Sequence, residues 1–208
     1  ILAVPEALEN TVWIASERPQ VRNLVLKCCD VLEQQEKFLN ELDAKIGDGD
    51  TGSTLANAAR SLRKAVDEFP LKDSAQFFSA VSELLSRSMG GSSGVLMAIM
   101  FSAAANTVKS GKDWKSALHA GLQRVMEMGG ARLGDRTFID ALGPALEQLQ
   151  ENNNLIEAAR AARLGSDRTR EMSSAKAGRA AYVPNEYLIG IPDPGAEAVA
   201  LIFEGIAA

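Results

Sequence analysis

Apolar positions return at intervals of three and four residues along most of the chain, a spacing that lays them on one face of an α-helix. Leu55, Ala58, Ala59, Leu62, Val66 and Phe69 make one such face, closed by Pro70. Phe77, Phe78, Val81, Leu84 and Leu85 make a second, opened by Asp73-Ser74. Trp114, Leu118, Leu122, Val125 and Met126 form a third. Phe138, Ile139, Leu142, Leu146 and Leu149 form a fourth, with Gly143-Pro144 expected to kink it. The segment 155–162 is alanine-rich and favours helix on propensity alone. No run alternates apolar and polar residues with the period of two that a half-buried strand needs. The pattern predicts an all-α fold of about eight helices joined by short loops, a bundle or a helical barrel. No internal repeat is visible, which argues against a solenoid.

The segment from Ile1 to Pro19 has only a weak helical pattern, with Pro5 near its start and Pro19 at its end. It reads as a linker or docking arm ahead of a domain spanning 20–208. The chain opens on Ile rather than Met, which fits an excised part of a longer polypeptide. Its 208 residues suffice for one substantial core, and 46% hydrophobic with 24% charged residues is the balance of a globular domain. A formal charge of −5 and no Lys/Arg run exclude a nucleic-acid footprint. The longest apolar stretch, 94–108, holds Ser102 and Asn106 and reads as a buried helix too short to cross a bilayer. Cys28 and Cys29 are neighbours on a predicted helix and point apart. Two unpaired thiols without a leader pattern suit a cytoplasmic protein.

Glycine concentrates beside predicted helix ends: in GDGDTG (47–52), in Gly90-Gly91-Ser92-Ser93-Gly94, in Gly129-Gly130 with Gly134-Asp135, and in Asp193-Pro194-Gly195. The first matches GxGxxG, yet a dinucleotide loop requires a preceding strand, and Phe38 to Asp43 is helical in pattern. An EF-hand is excluded as well. With Asp48 as first ligand, the sixth position is Ser53 instead of Gly and the twelfth is Ala59 instead of Glu. What remains is Asp43, Asp48 and Asp50, three carboxylates within eight residues on a glycine-loosened backbone. Alone they repel a polyphosphate; with a hard divalent cation between them the repulsion becomes a bridge. The helix expected to begin near Ser53 adds a positive dipole end and free N–H groups.

Ser92 and Ser93 offer hydroxyl and amide donors at a helix N-terminus, where an N-cap role and a binding role are both compatible with the sequence. Asp193-Pro194 is a favourable helix start in its own right. Arg179 suits either a phosphate contact or an ordinary surface position. His119 lies mid-helix, and no serine or cysteine sits in a nucleophile motif.

Taken in order, LDAKIGDGDTGST, MGGSSG, LGDRTFIDAL, GRAAYV and DPGA resemble the nucleotide-binding domain of dihydroxyacetone kinases, over about 20–208. The resemblance implies an antiparallel barrel of eight helices with nucleotide at one rim. It implies that Asp43, Asp48 and Asp50 ligate two Mg²⁺ ions bridging the phosphates of ATP or ADP. Thr51, Gly52, Ser53 and Thr54 match the loop against the nucleotide, as do Ser92 and Ser93. Gly129 and Phe138 match positions around base and ribose, Arg179 a phosphate-side contact, and Asp193, Pro194 and Gly195 the closing segment. Gly130 stands where family members often carry Lys, and Phe138 where Met is common.

Thr51 stands where members that relay phosphoryl groups for the phosphotransferase system usually carry His. GDGDTG is therefore similar to the ATP-dependent, single-polypeptide kind, in which a separate domain holds the ketone. The expected activity is Mg²⁺-dependent transfer of the ATP γ-phosphoryl to a small hydroxyketone such as dihydroxyacetone, incomplete without that ketone-binding domain. Two-domain relatives imply a homodimer of the full-length protein. The competing expectations are an ADP-binding relay subunit, a non-catalytic nucleotide-sensing module and a fatty-acid-kinase type. Flavin-nucleotide cyclisation is a side activity of some relatives.

Overall fold

The computed structural model describes residues 13–208, so most of the expected N-terminal arm, residues 1–12, lies outside the described residues. What is described of the arm is extended rather than helical. Ser16 donates its N–H to Phe69 O (3.1 Å), accepts from Leu71 N (3.1 Å), and takes the Lys72 amide on its hydroxyl (3.0 Å). That contact includes an isolated β-bridge; among the described residues the regular structure is otherwise helical.

The helices are α1 (Pro19–Gln34), α2 (Glu36–Asp43), α3 (Thr51–Ala65), α4 (Ser74–Ser88), α5 (Gly91–Lys109), α6 (Trp114–Gly129), α7 (Ile139–Asn152), α8 (Leu155–Thr169) and α9 (Pro194–Ala207). Short 3₁₀ turns follow α3 and interrupt the connection between α8 and α9. Their starts follow from local chemistry. Asp73, Asp113, Asn154 and Asp193 place a side-chain oxygen on free first-turn amides of α4, α6, α8 and α9. Gly130, at φ 75°, ends α6 in the left-handed conformation. Helix α7 continues through Pro144 without ending there.

Helices α1 and α2 form one rod broken at Gln35. The i to i−4 pattern continues across the break, with Gln35 N on Val31 O (3.0 Å) and Leu39 N on Gln35 O (2.9 Å). Helix α3 runs back along it, as its polar ladder shows. Ser53 meets Asn40, Arg60 meets Glu36, Arg63 meets Glu33 and Asp30, and Asp67 beyond the helix meets Arg22. Rising numbers on one side face falling numbers on the other. Among the described residues the nine helices are therefore eight rods, each packed on its chain neighbours, and α9 returns against α1 to close the ring.

Alternating direction places the connections 44–50, 89–90, 130–138 and 170–193 at one end, and 66–73, 110–113 and 153–154 at the other. The glycine clusters all fall at the first end. Between the rods, Met100, Leu122, Val125, Ile139, Leu146 and Phe203 form the largest buried cluster. Val66, Phe69, Val81 and Leu85 fill the α3–α4 side, and Cys29, Leu32, Leu39, Ala59 and Ala198 fill the closing seam.

Helix α5 corrects one expectation. At 19 residues it outruns the apolar stretch 94–108, and by length and composition alone it is long enough to cross a membrane. In the fold it packs between α4 and α6. Both cysteines are free, and burial pushes the thiols up, Cys28 to about 12 and Cys29 to about 11.

Candidate functional site

Asp43 is the last residue of α2 and is buried, while Asp48 and Asp50 lie in the loop leading to α3 and are exposed. Each offers a carboxylate oxygen, and the three oxygens lie within 4.8 Å of one another. The loop is shaped around Asp43. Its Oδ2 accepts from the amides of Asp50 (3.0 Å) and Thr51 (3.2 Å), so a carboxylate from one helix satisfies the start of the next. Gly47 lies against the same side chain: any Cβ there would overlap Asp43 Oδ1. Buried Ile46 packs with Ala180 and Leu188, which anchors the acidic loop to the connection between α8 and α9.

That connection delivers the counter-charge. Arg179 Nη1 lies 2.7 Å from Asp48 Oδ2. The Asp50 carboxyl is raised above its usual range, first by partial desolvation in the loop and then by the charge of Asp48, with Arg179 acting against both. The donor set is all oxygen, two of its three members face solvent, and one guanidinium leaves it underneutralised. These features fit a hard divalent cation of the Mg²⁺ type, which takes one or two protein carboxylates and completes its shell with water and phosphate oxygens.

The first turn of α3 divides its labour. Thr51 and Thr54 follow the acidic loop directly, with Thr54 N on Asp50 O (2.9 Å). Ser53 turns to α2 instead. Its amide donates to Asn40 Oδ1 (2.9 Å), and its hydroxyl donates to Glu36 Oε1 (3.1 Å) and accepts from Asn40 Nδ2 (2.8 Å). Gly52 packs on the same side, where a Cβ would overlap Glu36 O. The side chain of Ser53 and the missing side chain of Gly52 thus serve the α2–α3 junction.

Ser92 and Ser93 stand exposed in the first turn of α5, Ser93 Oγ donating to Gly90 O (3.2 Å). Among the described residues no hydrogen bond joins them to the acidic trio. Gly129 closes α6 against Leu96, and Phe138 precedes α7. Phe138 meets the start of α9, since a Cβ on Gly195 would lie 3.2 Å from Phe138 Cβ. Asp193 caps α9 by accepting from Ala196 N (2.9 Å), and Pro194 takes the first helical position. Burial pushes the Asp193 carboxyl up to about 6, with Arg136 acting in the opposite direction.

Sequence reasoning passed over the residues that hold these parts. Asp140 takes the amides of Gly134 (2.6 Å) and Thr137 (2.8 Å), and Asp135 takes that of Arg132 (2.8 Å) and pairs with Lys176 (3.2 Å). Arg136 is fully buried, and Thr169 receives the Asp193 amide on its hydroxyl (2.8 Å). The signal for the first three was their place inside LGDRTFIDAL, joined for Asp135 by its place beside Gly134 in a glycine cluster.

With that geometry in place, comparison with known proteins is decisive on family. Residues 45–208 match the model of the DAK2 domain. The chain belongs to the DAK2 domain family. This DAK2 chain is 47% identical over 179 residues to the dihydroxyacetone kinase of Citrobacter freundii, covering 85% of this chain and 32% of that protein. It is 37% identical over 214 residues to the triokinase/FMN cyclase of Mus musculus, covering 97% of this chain and 37% of that protein. The crystal structure of the C. freundii enzyme in its native form matches with a TM-score of 0.86 at 40% identity, over 100% of this chain and 38% of the other. A second structure of that enzyme, in complex with AMP-PNP and Mg²⁺, matches with a TM-score of 0.84 at 38% identity, over 100% of this chain and 37% of the other. The DAK2 chain thus spans about a third of the length of these relatives. The all-α expectation is borne out, and so is the resemblance to dihydroxyacetone kinases.

Proposed function

We propose that residues 20–208 are the nucleotide-binding domain of an ATP-dependent dihydroxyacetone kinase. In this reading the acceptor is a small hydroxyketone held by a separate domain. The observation that carries the proposal is the convergence of Asp43, Asp48 and Asp50 within 4.8 Å, at the end of the ring where the glycine-rich connections gather. Support also comes from a relative of the same fold whose structure contains AMP-PNP and Mg²⁺.

Asp43, Asp48 and Asp50 would hold Mg²⁺, as two ions. When bound, the metal supplies neutralisation of the polyphosphate charge, the main electrostatic need of phosphoryl transfer. The chain's own residues do the positioning. The first turn of α5 presents N–H donors beside the hydroxyls of Ser92 and Ser93, whereas at the start of α3, where the amides of Asp50, Thr51, Ser53 and Thr54 are already engaged, the hydroxyls of Thr51 and Thr54 are the donors. Arg179, held by Asp48 in this structure, is the charged donor that exchanges its carboxylate partner for phosphate. Phe138 and Gly129 form an apolar wall for base and ribose, and Asp193, Pro194 and Gly195 close it. No group in this set is placed to bind a ketone, so turnover requires the ketone-binding domain.

Titration calorimetry with AMP-PNP and Mg²⁺ tests the reading. The wild-type chain binds, and Asp48→Asn or Asp50→Asn weakens binding by about tenfold or more, the loss of one charged ligand. Binding unchanged in both variants would sink the assignment of the trio. Phosphorylation of dihydroxyacetone appears only when a ketone-binding domain is added, and full turnover by the isolated chain contradicts that division of labour.

A further inference from the structure

Arg136 is the largest fully buried side chain among the described residues, with no exposed surface. Its backbone is left-handed at φ 62°, a conformation that non-glycine residues seldom adopt. Nη2 donates to Ile191 O (2.7 Å) and, at a longer 3.5 Å, to Leu188 O. Nε and Nη1 are buried without a partner among the described residues. A buried cation with unused donors on a strained backbone is costly, and such arrangements persist where the surrounding structure imposes them. Burial depresses the guanidinium below its usual range, and the charge of Asp193 opposes that.

Position gives the arrangement its meaning. Arg136 stands two residues before Phe138, and the carbonyl it grips stands two residues before Asp193. It joins the α6–α7 connection to the α8–α9 connection behind the place where Phe138 meets Gly195. Asp193 is fixed from the other side by its amide on Thr169 Oγ1. A shift of the Ile191 carbonyl therefore moves the start of α9 relative to Phe138.

We infer that Arg136 is a positioning residue that sets the gap between Phe138 and the Asp193–Gly195 segment, and so selects for the nucleoside end of the ligand over its polyphosphate end. The inference rests on the nucleotide-site reading above. It separates two properties that a general loss of folding would change together.

The test compares two probes on the same chain: AMP-PNP with Mg²⁺, and inorganic tripolyphosphate with Mg²⁺. Arg136→Met keeps an unbranched apolar stem and removes the guanidinium with its charge. It weakens AMP-PNP binding by about tenfold, the expected loss of a charge-assisted hydrogen bond, while tripolyphosphate binding stays within about twofold of wild type. Arg136→Lys, which retains a charged donor and better preserves the fold, shows the same selectivity with a loss of about threefold. Equal losses for both probes, or no loss for either in a folded variant, overturn the inference. If Arg136→Met does not fold, Arg136→Lys alone decides by the same ratio. A wild-type chain that binds neither probe overturns the nucleotide-site reading itself, and this inference with it.

Discussion

At the scale of single residues, the acidic site depends on what is missing beneath it. Asp43 Oδ1 occupies the space a Cβ on Gly47 would take, and Asp43 Oδ2 is committed to two amides, so the carboxylate has nowhere to retreat. Gly47→Ala displaces Asp43 and with it the alignment of Asp50 and Thr51. The expected outcome is at least about a tenfold loss of Mg²⁺-dependent AMP-PNP affinity with a stability cost of only about 1–2 kcal/mol, the range for one added methyl in a tight site. Paired calorimetric and thermal-unfolding measurements check it; a large loss of stability with affinity unchanged would place the role of Gly47 in the fold alone. The trio itself was legible in the sequence because its members lie close along the chain, where glycine spacing advertises an unusual loop. Arg136 was not legible. Nothing in the local sequence distinguishes a buried arginine from a solvated one, because its burial is produced by a connection some fifty residues further on, at Leu188 and Ile191.

Among elements, the α8–α9 pair is joined by a charged network rather than by apolar packing alone. Arg163 on α8 places Nη1 2.8 Å from both oxygens of Glu197, which is 4% exposed, and reaches Glu204 through Nε (2.7 Å) and Nη2 (2.9 Å). Ser166 adds a hydroxyl on Glu197 (2.7 Å). Arg163 holds the Glu204 carboxyl below its usual range. Glu197→Ala leaves a half-buried guanidinium with one partner lost and should cost about 3 kcal/mol, the low end for breaking a buried pair, because Glu204 remains. Urea denaturation with an unchanged m-value measures it. A cost below about 1 kcal/mol would show that the pair behaves like a surface salt bridge. The helices were legible from periodicity because each buries one stripe, and the starts of α4 and α9 were legible from Asp73 and Asp193. The break at Gln35 was not, since the apolar stripe runs on through α1 and α2 and no glycine or proline marks it. The partners of Ser53 were not legible for a related reason. Its position in the loop motif suggested a ligand contact, whereas its hydroxyl is taken by Glu36 and Asn40 across a helix pair that a linear reading does not bring together.

For the whole molecule, an even number of alternating rods closing into a ring brings one set of connections to one rim, and this joins segments as distant as 43–54 and 179–195. The acid–base behaviour of that rim feeds back on global stability through Asp193. Its folded carboxyl titrates at about 6 because burial disfavours the charged form. In the unfolded chain an aspartate titrates near about 3.9. Between those values the folded state binds more protons than the unfolded state, so the contribution of Asp193 to stability falls as pH rises from about 4 and levels off above about 7. Arg136 lowers that pKa and Asp140 raises it, but burial is the largest cause. Carboxyls held below their usual range run the other way, losing their stabilisation as pH falls: Glu36 beside Arg60, Asp135 on the Arg132 amide, and Glu204 beside Arg163. Comparison with Asp193→Asn isolates the one term, because asparagine caps a helix about as well as aspartate and carries no proton equilibrium. The difference in melting temperature, wild type minus variant, should decline steadily from pH 4 to pH 7 as Asp193 is forced to ionise in place. A difference that stays flat, or rises with pH, would mean that the carboxylate is already charged in the folded chain and that Arg136 outweighs burial at the start of α9.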